Sequence, residues 1–437
     1  MSKINRRNFI KLGGGAAALA GTVSTIGCAT SGSKGSARKK VVVVGGGTGG
    51  ATVAKYLRLF DQSIDVTLIE ADKSHHTCYG SNEVLSGYRK LSDIEFSYDG
   101  LKGHGVKVIH DWVTGIDPDA RIIKTKSGES IAYDRAVISP GIDFKWEAIE
   151  GYDEAAAEKM PHAWQAGPQT AILQKQIEAM PNGGRVIIAP PPNPFRCPPG
   201  PYERASQIAD YLKRHKPKSK ILILDAKDKF AKKKLFIQGW KKLYGYGTPD
   251  SMIKFIPGSK GGKVTSVNVA NMSVEGSNLD TFKANVINII PPQKAGKLAF
   301  AAGLTKGDWC PVNKNSFESE IHKNIHVLGD ASIASKMPKS GYSANIQAKA
   351  CASAIVQLFN DREPLVPSYQ NTCYSIIGKD YGISVGMVYK YNKEKNMILP
   401  VKGAGGLTPM DASKENLKRE SHYAHGWYKN ITQDIFG

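Results

Sequence analysis

Short apolar runs recur along the chain and set the pattern of predicted elements. Residues 41–44 are four consecutive valines, a β-branched run typical of a parallel strand buried on both faces. Further apolar runs, also predicted as strands, lie at residues 66–69, 105–117, 136–144, 185–189, 220–224 and 324–332. In two cases, a loop and a helical stretch lie between two successive strands. The pattern therefore predicts an α/β fold with two βαβ units.

The first of these units carries a glycine pattern. GGGTGG follows the valine run and places Gly45, Gly47 and Gly50 on the spacing G-x-G-x-x-G. Such glycines allow a tight turn, a close approach of backbone N–H groups to a pyrophosphate, and packing of the next helix. The second strand of the unit ends at Glu70, where a carboxylate can accept hydrogen bonds from a ribose 2′-OH. Strand, loop, helix, strand and acid in this order predict a dinucleotide site.

The second unit has the same order of elements but a different loop. Strand 185–189, a helix at about 202–213 and strand 220–224, which ends at Asp225, again form a predicted βαβ. Prolines occupy the loop at positions 190, 191, 192, 194, 198 and 199. Proline has no N–H to offer a phosphate. We therefore expect this unit to keep the Rossmann-like fold but not to bind NAD(P)H, so reducing equivalents must come from another source.

Other segments suit the remainder of an FAD site. Val113 is placed to present its backbone to an adenine, and Gly141 closes the strand at which two-domain flavoproteins pass to their second domain. Asp330 follows a short buried strand and can hydrogen-bond the ribityl or pyrophosphate part of FAD. Tyr342 lies at the start of a predicted helix whose N-terminus can face the flavin ring.

These elements predict a domain order for the 437 residues. Residues 38–150 form the first part of an FAD domain and residues 151–290 the second Rossmann-like domain, in a glutathione reductase-like arrangement. Residues 291–365 return to the FAD domain. Residues 366–437 form a smaller C-terminal α+β domain, with short strands from Val366 onward, at an interface with flavin and partner.

The first 37 residues resemble an export signal. Arg6-Arg7 followed by a short glycine- and alanine-rich run matches the twin-arginine pattern, and the run is too short to span a bilayer. Cys28 resembles a lipoprotein cleavage site, and plain cleavage between Gly27 and Ala37 is the alternative. We expect a periplasmic protein without an integral membrane segment, with a lipid anchor at Cys28 left open.

The net charge of +20 favours an anionic substrate or an acidic protein partner. No nucleic-acid motif accompanies the charge, so nucleic-acid binding is not predicted. The basic run at residues 227–234 is predicted to be a solvated face.

Six cysteines are present, and none lies in a C-x-x-C or C-x-x-C-H motif. The sequence therefore predicts no metal site and no attached haem. Cys351 is expected in the core of a helix, and Cys310 has no visible partner. Cys197 and Cys373 lie in polar, loop-like settings, where a disulfide between them is one pairing among several.

Several longer motifs carry a resemblance. TCYGSNEV, APPPNPFRCPPGPYERAS, NIIPP, GYSANIQAKACA, NTCYSI and GWYKNIT closely resemble the flavoprotein subunit of flavocytochrome c sulfide dehydrogenase. The resemblance implies FAD bound through a thioether at Cys78 and a redox-active disulfide between Cys197 and Cys373. It also implies a c-type cytochrome subunit, which holds the haem, with Trp427 lying toward it. The one departure is Gly80, where a larger apolar residue is expected; it puts the local packing in doubt.

The resemblance implies that hydrosulfide attacks this disulfide and that FAD passes the electrons to haem. Glu203 is a candidate proton acceptor, and an exposed glutamate at the start of a helix is the alternative interpretation. A sulfide:quinone oxidoreductase would need an amphipathic C-terminal surface, which the last seventy residues do not indicate. An NADH-dependent disulfide reductase would need a second glycine loop. A non-catalytic flavin- or sulfur-binding partner protein would not need two cysteines at the flavin.

Overall fold

The computed structural model describes residues 38–437. The predicted twin-arginine segment and Cys28 lie outside these residues. In chain order the strands are β1 (Lys40–Val44), β2 (Asp65–Ile69), β3 (Ser74–His76), β4 (Glu95–Ser97), β5 (Lys107–Ile109), β6 (Val113–Asp117), β7 (Ile122–Thr125), β8 (Ser130–Ala132), β9 (Arg135–Ile138), β10 (Ile142–Phe144), β11 (Arg185–Ala189), β12 (Lys220–Leu224), β13 (Ile253–Ile256), β14 (Val264–Asn268), β15 (Ser273–Gly276), β16 (Thr281–Lys283), β17 (Val286–Ile289), β18 (Gln293–Ala295), β19 (Ile325–Val327), β20 (Ser368–Gly378), β21 (Tyr381–Asn392) and β22 (Met397–Leu407).

The α-helices of the described residues are α1 (Thr48–Phe60), α2 (Ser81–Leu85), α3 (Asp99–Gly103), α4 (Pro168–Ala179), α5 (Gly200–His215), α6 (Lys233–Tyr244), α7 (Lys297–Ala301), α8 (Gly341–Phe359) and α9 (Lys414–Phe436). None of them is long and apolar enough to cross a bilayer.

Two parallel sheets form the framework. The first has the order β19-β9-β1-β2-β5, and the second has the order β13-β12-β11-β17. The valines of β1 are buried because helices and loops cover both faces of the sheet, as the unbroken apolar run predicted. The α/β fold class with two Rossmann-like units is confirmed.

The chain enters the second sheet and returns from it through a small antiparallel pair. β9 ends at Ile138, and residues 142–144 leave the first sheet to pair with β18 as β10. The predicted strand 136–144 is therefore two strands in different sheets. Pro140 and Gly141, which has φ +65°, make the break, because proline cannot donate to a ladder.

The C-terminal region differs from its prediction. Its three antiparallel strands β20, β21 and β22 are 11 or 12 residues long rather than short. The last residues form α9, a helix of 23 residues. Its buried residues follow helical spacing beneath a surface rich in lysine and asparagine, namely Leu417, Ser421, Ala424, Tyr428, Ile431 and Ile435. The prediction that this region lacks an amphipathic segment is wrong, because small and polar residues in the stripe hid its period.

Candidate active site

The glycine loop after β1 forms a tight cradle. A Cβ on Gly50 would lie 1.8 Å from the carbonyl oxygen of Gly45, and a Cβ on Gly45 would lie 2.4 Å from the Ser139 oxygen. Gly45 also has φ +95°, a conformation that favours glycine. Among the described residues, an added Cβ on Gly47 would meet a ring carbon of His75 at 3.5 Å. The N-terminus of α1 is thus accessible to an anionic group.

Glu70 closes this cradle from the end of β2. Its Oε2 accepts a hydrogen bond from Gly46 N at 2.5 Å, and its Oε1 accepts one from Asp72 N at 3.1 Å. Each carboxylate oxygen has a further lone pair, so a ribose hydroxyl can still bind. Val113 begins β6 and is half-buried, after Trp112, whose side chain is 63% exposed.

A cavity of about 890 Å³ is lined by Asp330, Ser343 and Gln347, among others. Two buried polar atoms at this site, Asp330 Oδ1 and Arg196 Nε, have no hydrogen-bond partner in the described part of the chain. Burial raises the pKa of Asp330, against the opposing charges of Arg196 and Lys339. A cradle for phosphate and unpaired polar groups beside a large cavity fit FAD, which has a pyrophosphate and a polar ring edge.

A second cavity, of about 960 Å³, brings three cysteines together. Cys78, Cys197 and Cys373 line it, as do Glu203 and Trp427. The three come from distant places in the chain: a turn before α2, the loop before α5, and the middle of β20. Each is a free thiol in the structure. Cys310 and Cys351 are fully buried elsewhere in the core.

The backbone fixes Cys197 in an unusual conformation. Its φ is +56°, which is uncommon for a residue with a side chain. Its N–H donates to Lys339 O at 2.8 Å, and its carbonyl accepts from Gly200 N at 2.8 Å. These bonds connect the proline-rich loop to the segment that precedes α8. These bonds hold Cys197 in place at the wall of the cavity.

Burial has the largest effect on the pKa values of Cys197 and Cys373. It raises the pKa of Cys197, and a charge on Cys373 would raise it further, while Arg196 opposes this. Burial also raises the pKa of Cys373, against the positive charge of Lys232 and a 3.2 Å hydrogen bond from Asn371 Nδ2 to Sγ. Both cysteines line the same cavity, so a charge on one is felt by the other.

Glu203 is not an exposed residue at the start of a helix, so that interpretation is wrong. Its Oε1 accepts from Ile376 N at 2.8 Å and its Oε2 accepts from Asn82 Nδ2 at 3.1 Å. Burial raises the pKa of this carboxyl group, against those hydrogen bonds and Lys232. A buried carboxyl group with a raised pKa at a cavity is a candidate for proton transfer.

The basic run at residues 227–234 was predicted to be a solvated face. This prediction is wrong for two of its lysines. Lys227 lies against buried Asp225, with Nζ 2.7 Å from Oδ1. Lys232 is only 8% exposed and reaches the strand of Cys373. No local pattern identified these two lysines, because five of the eight residues in this run are lysine and only the tertiary fold distinguishes them.

Aromatic side chains cover one side of the cysteine cavity. Trp427, on α9, stacks with Tyr342 at a centroid distance of 6.1 Å and an angle of 3°. Tyr79 and Tyr374 lie 5.4 and 6.1 Å from the same indole. The predicted site residues Tyr342 and Trp427 are thus brought together.

The backbone conformation and the close packing at position 80 both favour glycine. It has φ +87°, and a Cβ there would lie 2.8 Å from the ring of Tyr428. The expectation that a larger apolar residue suits this position is wrong for this chain, because the Tyr428 ring fills the space.

The second unit has no comparable cradle. The prolines of its loop remove backbone donors, and Asp225, at the end of β12, is fully buried. The Asp225 carboxylate accepts from Tyr202 Oη at 2.5 Å and from Lys227 Nζ. Asp225 is therefore committed to internal partners and has no exposed oxygen for a ribose. Among the described residues, no group of three or more His, Cys, Asp or Glu side chains could hold a metal ion.

Comparisons with known proteins agree with this geometry. A solved sulfide:quinone oxidoreductase from Aquifex aeolicus has a TM-score of 0.68 at 21% identity, covering 91% of this chain and 92% of that one. In sequence, the sulfide:quinone oxidoreductase of Dictyostelium discoideum is 23% identical and covers 83% of this chain and 80% of its own. The sulfide dehydrogenase [flavocytochrome c] flavoprotein chain of Chlorobaculum thiosulfatiphilum is 61% identical over 46 residues, which are 10% of this chain and 96% of that sequence.

Family models match three successive parts of the chain. Residues 39–168 match the pyridine nucleotide-disulphide oxidoreductases. Residues 170–291 match the central part of the sulfide dehydrogenase [flavocytochrome c] flavoprotein chain, and residues 366–436 match the flavin-binding part of flavocytochrome c sulphide dehydrogenase. Fold and site thus define an FAD-dependent oxidoreductase of the disulfide-oxidoreductase class. Within that class, the chain belongs to the family of flavoprotein chains of flavocytochrome c sulfide dehydrogenase, as the motifs predicted.

Proposed function

We propose that this protein oxidises hydrosulfide at the pair Cys197 and Cys373 and passes the electrons to a c-type cytochrome subunit. The observation that carries the proposal is the meeting of Cys78, Cys197 and Cys373 in one cavity beside a buried carboxyl group, Glu203. Hydrosulfide is small and anionic, and Arg196 and Arg204 line the same cavity. Their positive charge favours the entry of an anion.

In the proposed first step, the oxidised pair forms a disulfide that hydrosulfide attacks at Cys197. A bond forms between the substrate sulfur and Cys197 Sγ, the Cys197–Cys373 bond breaks, and its electron pair remains on Cys373 as a thiolate. Glu203 accepts the proton of the new persulfide. FAD, when bound, would supply the acceptor for the two electrons that the Cys373 thiolate and the deprotonated Cys197 persulfide release together on forming a new sulfur–sulfur bond, and it would pass them singly to a haem.

We further propose that Cys78 holds FAD through a thioether. Cys78 Sγ lies 3.8 Å from the carbonyl oxygen of Trp164, within the cavity of the other two cysteines. After denaturation in acid, a covalent flavin stays with the precipitated protein and adds its mass to the peptide that contains Cys78. A Cys78→Ser protein would release its flavin to the supernatant. Complete release from the wild-type protein would contradict the thioether.

The proposed electron acceptor is the haem of a c-type cytochrome subunit, with Trp427 toward it. Family membership supports this acceptor, and so does the aromatic group of Trp427, Tyr342, Tyr79 and Tyr374 at the cavity. Quinone is the second candidate, because sulfide:quinone oxidoreductases match most of the chain. The amphipathic helix α9 does not favour quinone, since its leucine, isoleucine and phenylalanine side chains are all buried.

Turnover with sulfide distinguishes the two acceptors. The purified protein is given sulfide anaerobically, with either a c-type cytochrome or a water-soluble short-chain quinone. We expect rapid haem reduction and slow quinone reduction. The reverse ratio would support the quinone enzyme, and reduction of neither would overturn the proposed function.

We also propose a periplasmic location through the twin-arginine segment. Exchange of Arg6 and Arg7 for lysine should leave the protein in the cytoplasm on cell fractionation. Labelling with a radioactive fatty acid distinguishes a lipid anchor at Cys28 from plain cleavage between Gly27 and Ala37.

A further inference from the structure

Lys232 is a buried cation in contact with the strand of Cys373. It precedes α6 and has φ +60° and ψ 24°, a left-handed conformation that is uncommon for a residue with a long side chain. Its Nζ donates to Cys373 O at 2.8 Å and to Ser375 Oγ at 2.8 Å. The ammonium group of Lys232 is therefore fixed at β20. Its neighbour Lys234, by contrast, is exposed to solvent.

The groups that face Lys232 are mostly those of the proposed reaction. Cys373, Glu203, Cys197 and, from α9, Glu420 all favour its charged form, against the effect of burial, which lowers its pKa to about 8. The effect is mutual: a positive charge on Lys232 counteracts the cost of a buried thiolate at Cys373. At neutral pH the lysine is largely charged, and it loses its charge as pH rises through about 8.

The cation near Cys197 is differently placed. Arg196 forms an ion pair with Asp330 at 3.7 Å and also donates to Trp164 O, so part of its charge is already compensated. Cys373 also receives a hydrogen bond on sulfur from Asn371. The surroundings thus favour a negative charge on Cys373 over one on Cys197.

We infer that Lys232 is a positioning residue that makes Cys373 the leaving thiolate, and Cys197 the persulfide carrier, when hydrosulfide opens the disulfide. This inference rests on the proposed function. The bond that breaks is Cys197–Cys373, the new bond joins the substrate sulfur to Cys197 Sγ, and the electron pair remains on Cys373 Sγ. The ammonium group of Lys232 contacts the carbonyl oxygen of the same residue at 2.8 Å. A stable thiolate leaves more readily, so the lysine sets the direction of attack.

Alkylation of Cys373 tests this inference without sulfide. The fully reduced holoprotein is treated with iodoacetamide across a range of pH, and mass spectrometry of the Cys373 peptide gives the rate. K232Q keeps a donor for Cys373 O and Ser375 Oγ but removes the charge, and K232R keeps the charge. K234M changes an exposed lysine of the same run and is the matched control.

We expect K232Q to raise the pH of half-maximal alkylation of Cys373 by about one unit or more, the size of effect of a nearby charge. K232R and K234M should stay near the wild-type value. A K232Q profile equal to that of the wild type would overturn the inference and leave Lys232 a structural residue. If K232Q does not fold, S375A is used instead, because it removes one hydrogen-bond partner of the ammonium group. We then expect the pH of half-maximal alkylation of Cys373 to rise, and an unchanged S375A profile would overturn the inference.

A single turnover locates the persulfide. The oxidised protein is mixed with one equivalent of sulfide, quenched with alkylating agent, and the modified cysteine is identified. We expect Cys197 in the wild type and a mixture of Cys197 and Cys373 in K232Q. If the wild-type protein forms no persulfide and reduces no acceptor, the proposed function fails, whereas the alkylation shift stands on its own. If wild-type turnover is normal but K232Q still labels Cys197 alone, the inference fails.

Discussion

The two βαβ units share their geometry and differ in the loop between strand and helix. β1 pairs in parallel with β2, as β11 pairs with β12. In the first unit the chain passes from β1 to α1 within three residues, Gly45 to Gly47; in the second, ten residues, 190–199, separate β11 from α5. The short loop brings a helix N-terminus to a phosphate, whereas the long loop brings Cys197 to a cavity. One framework therefore suits cofactor binding once and, in the proposed function, thiol chemistry once.

The acids at the ends of the second strands show the same contrast. Glu70 accepts hydrogen bonds from the N–H groups of Gly46 and Asp72 and closes the cradle. Asp225 is fully buried and is paired with Tyr202 and Lys227. The same type of residue at the same topological position is thus part of a site in one unit and part of the core in the other. Topology alone does not assign a dinucleotide site.

Loss of either proposed reactive cysteine should have the largest effect. Cys197→Ser and Cys373→Ser should each lower sulfide-to-cytochrome turnover by about 10³-fold or more, because serine forms neither a persulfide nor a stable thiolate. FAD should stay bound. Cys351→Ala is the control, with turnover near normal and a lower melting temperature from a core cavity. A merely structural disulfide would instead cost about 2–5 kcal/mol of stability and leave turnover near normal at low temperature.

Glu203→Gln should reduce kcat by about 10²-fold, the usual contribution of a proton acceptor. Wild-type kcat should rise with pH through the raised pKa of Glu203, since only the carboxylate accepts a proton, and this limb should disappear in the variant. The raised pKa also means that the folded protein holds this proton more tightly than the unfolded chain, so stability falls as pH rises toward that pKa. Glu203→Gln cannot titrate, so its unfolding temperature should vary less with pH than that of the wild type, although glutamine keeps only one of the two acceptors that Ile376 N and Asn82 Nδ2 use. An unchanged kcat–pH profile would contradict the assignment.

The glycine cradle should be sensitive to a single methyl group. Gly50→Ala places a Cβ 1.8 Å from a backbone oxygen, so strand and helix must separate at a cost of about 3 kcal/mol. Urea unfolding and FAD content after purification measure the effect. At Gly115, in β6, an added Cβ would meet no atom within 4 Å, and Gly115→Ala should stay within about 0.5 kcal/mol of the wild type. Equal stability of the two variants would show that the cradle is not tightly packed.

Features that depend on neighbouring residues in the sequence could be predicted, and features that depend on contacts between distant parts of the chain could not. Strands β11 and β12 could be predicted to the residue, because an unbroken apolar run determines them locally. The period of α9 could not be recognised, since Ser421 and Ala424 stand in its buried stripe. Lys232 and Asn82 could not be found either, because their partners lie more than a hundred residues away in the chain. The nearness of Cys197 and Cys373 is likewise a product of the tertiary fold, and only the family resemblance indicated it.

The last prediction is the absence of an effect. NADH, added anaerobically to the oxidised protein, should leave the flavin spectrum unchanged, because the loop 190–199 lacks the N–H donors for a pyrophosphate and Asp225 is occupied by Tyr202 and Lys227. Dithionite is the positive control and should bleach the flavin fully. Bleaching by one equivalent of NADH would mean that the proline loop accepts a nicotinamide nucleotide after all. The two units would then both be cofactor sites, and the contrast drawn between their loops would no longer hold.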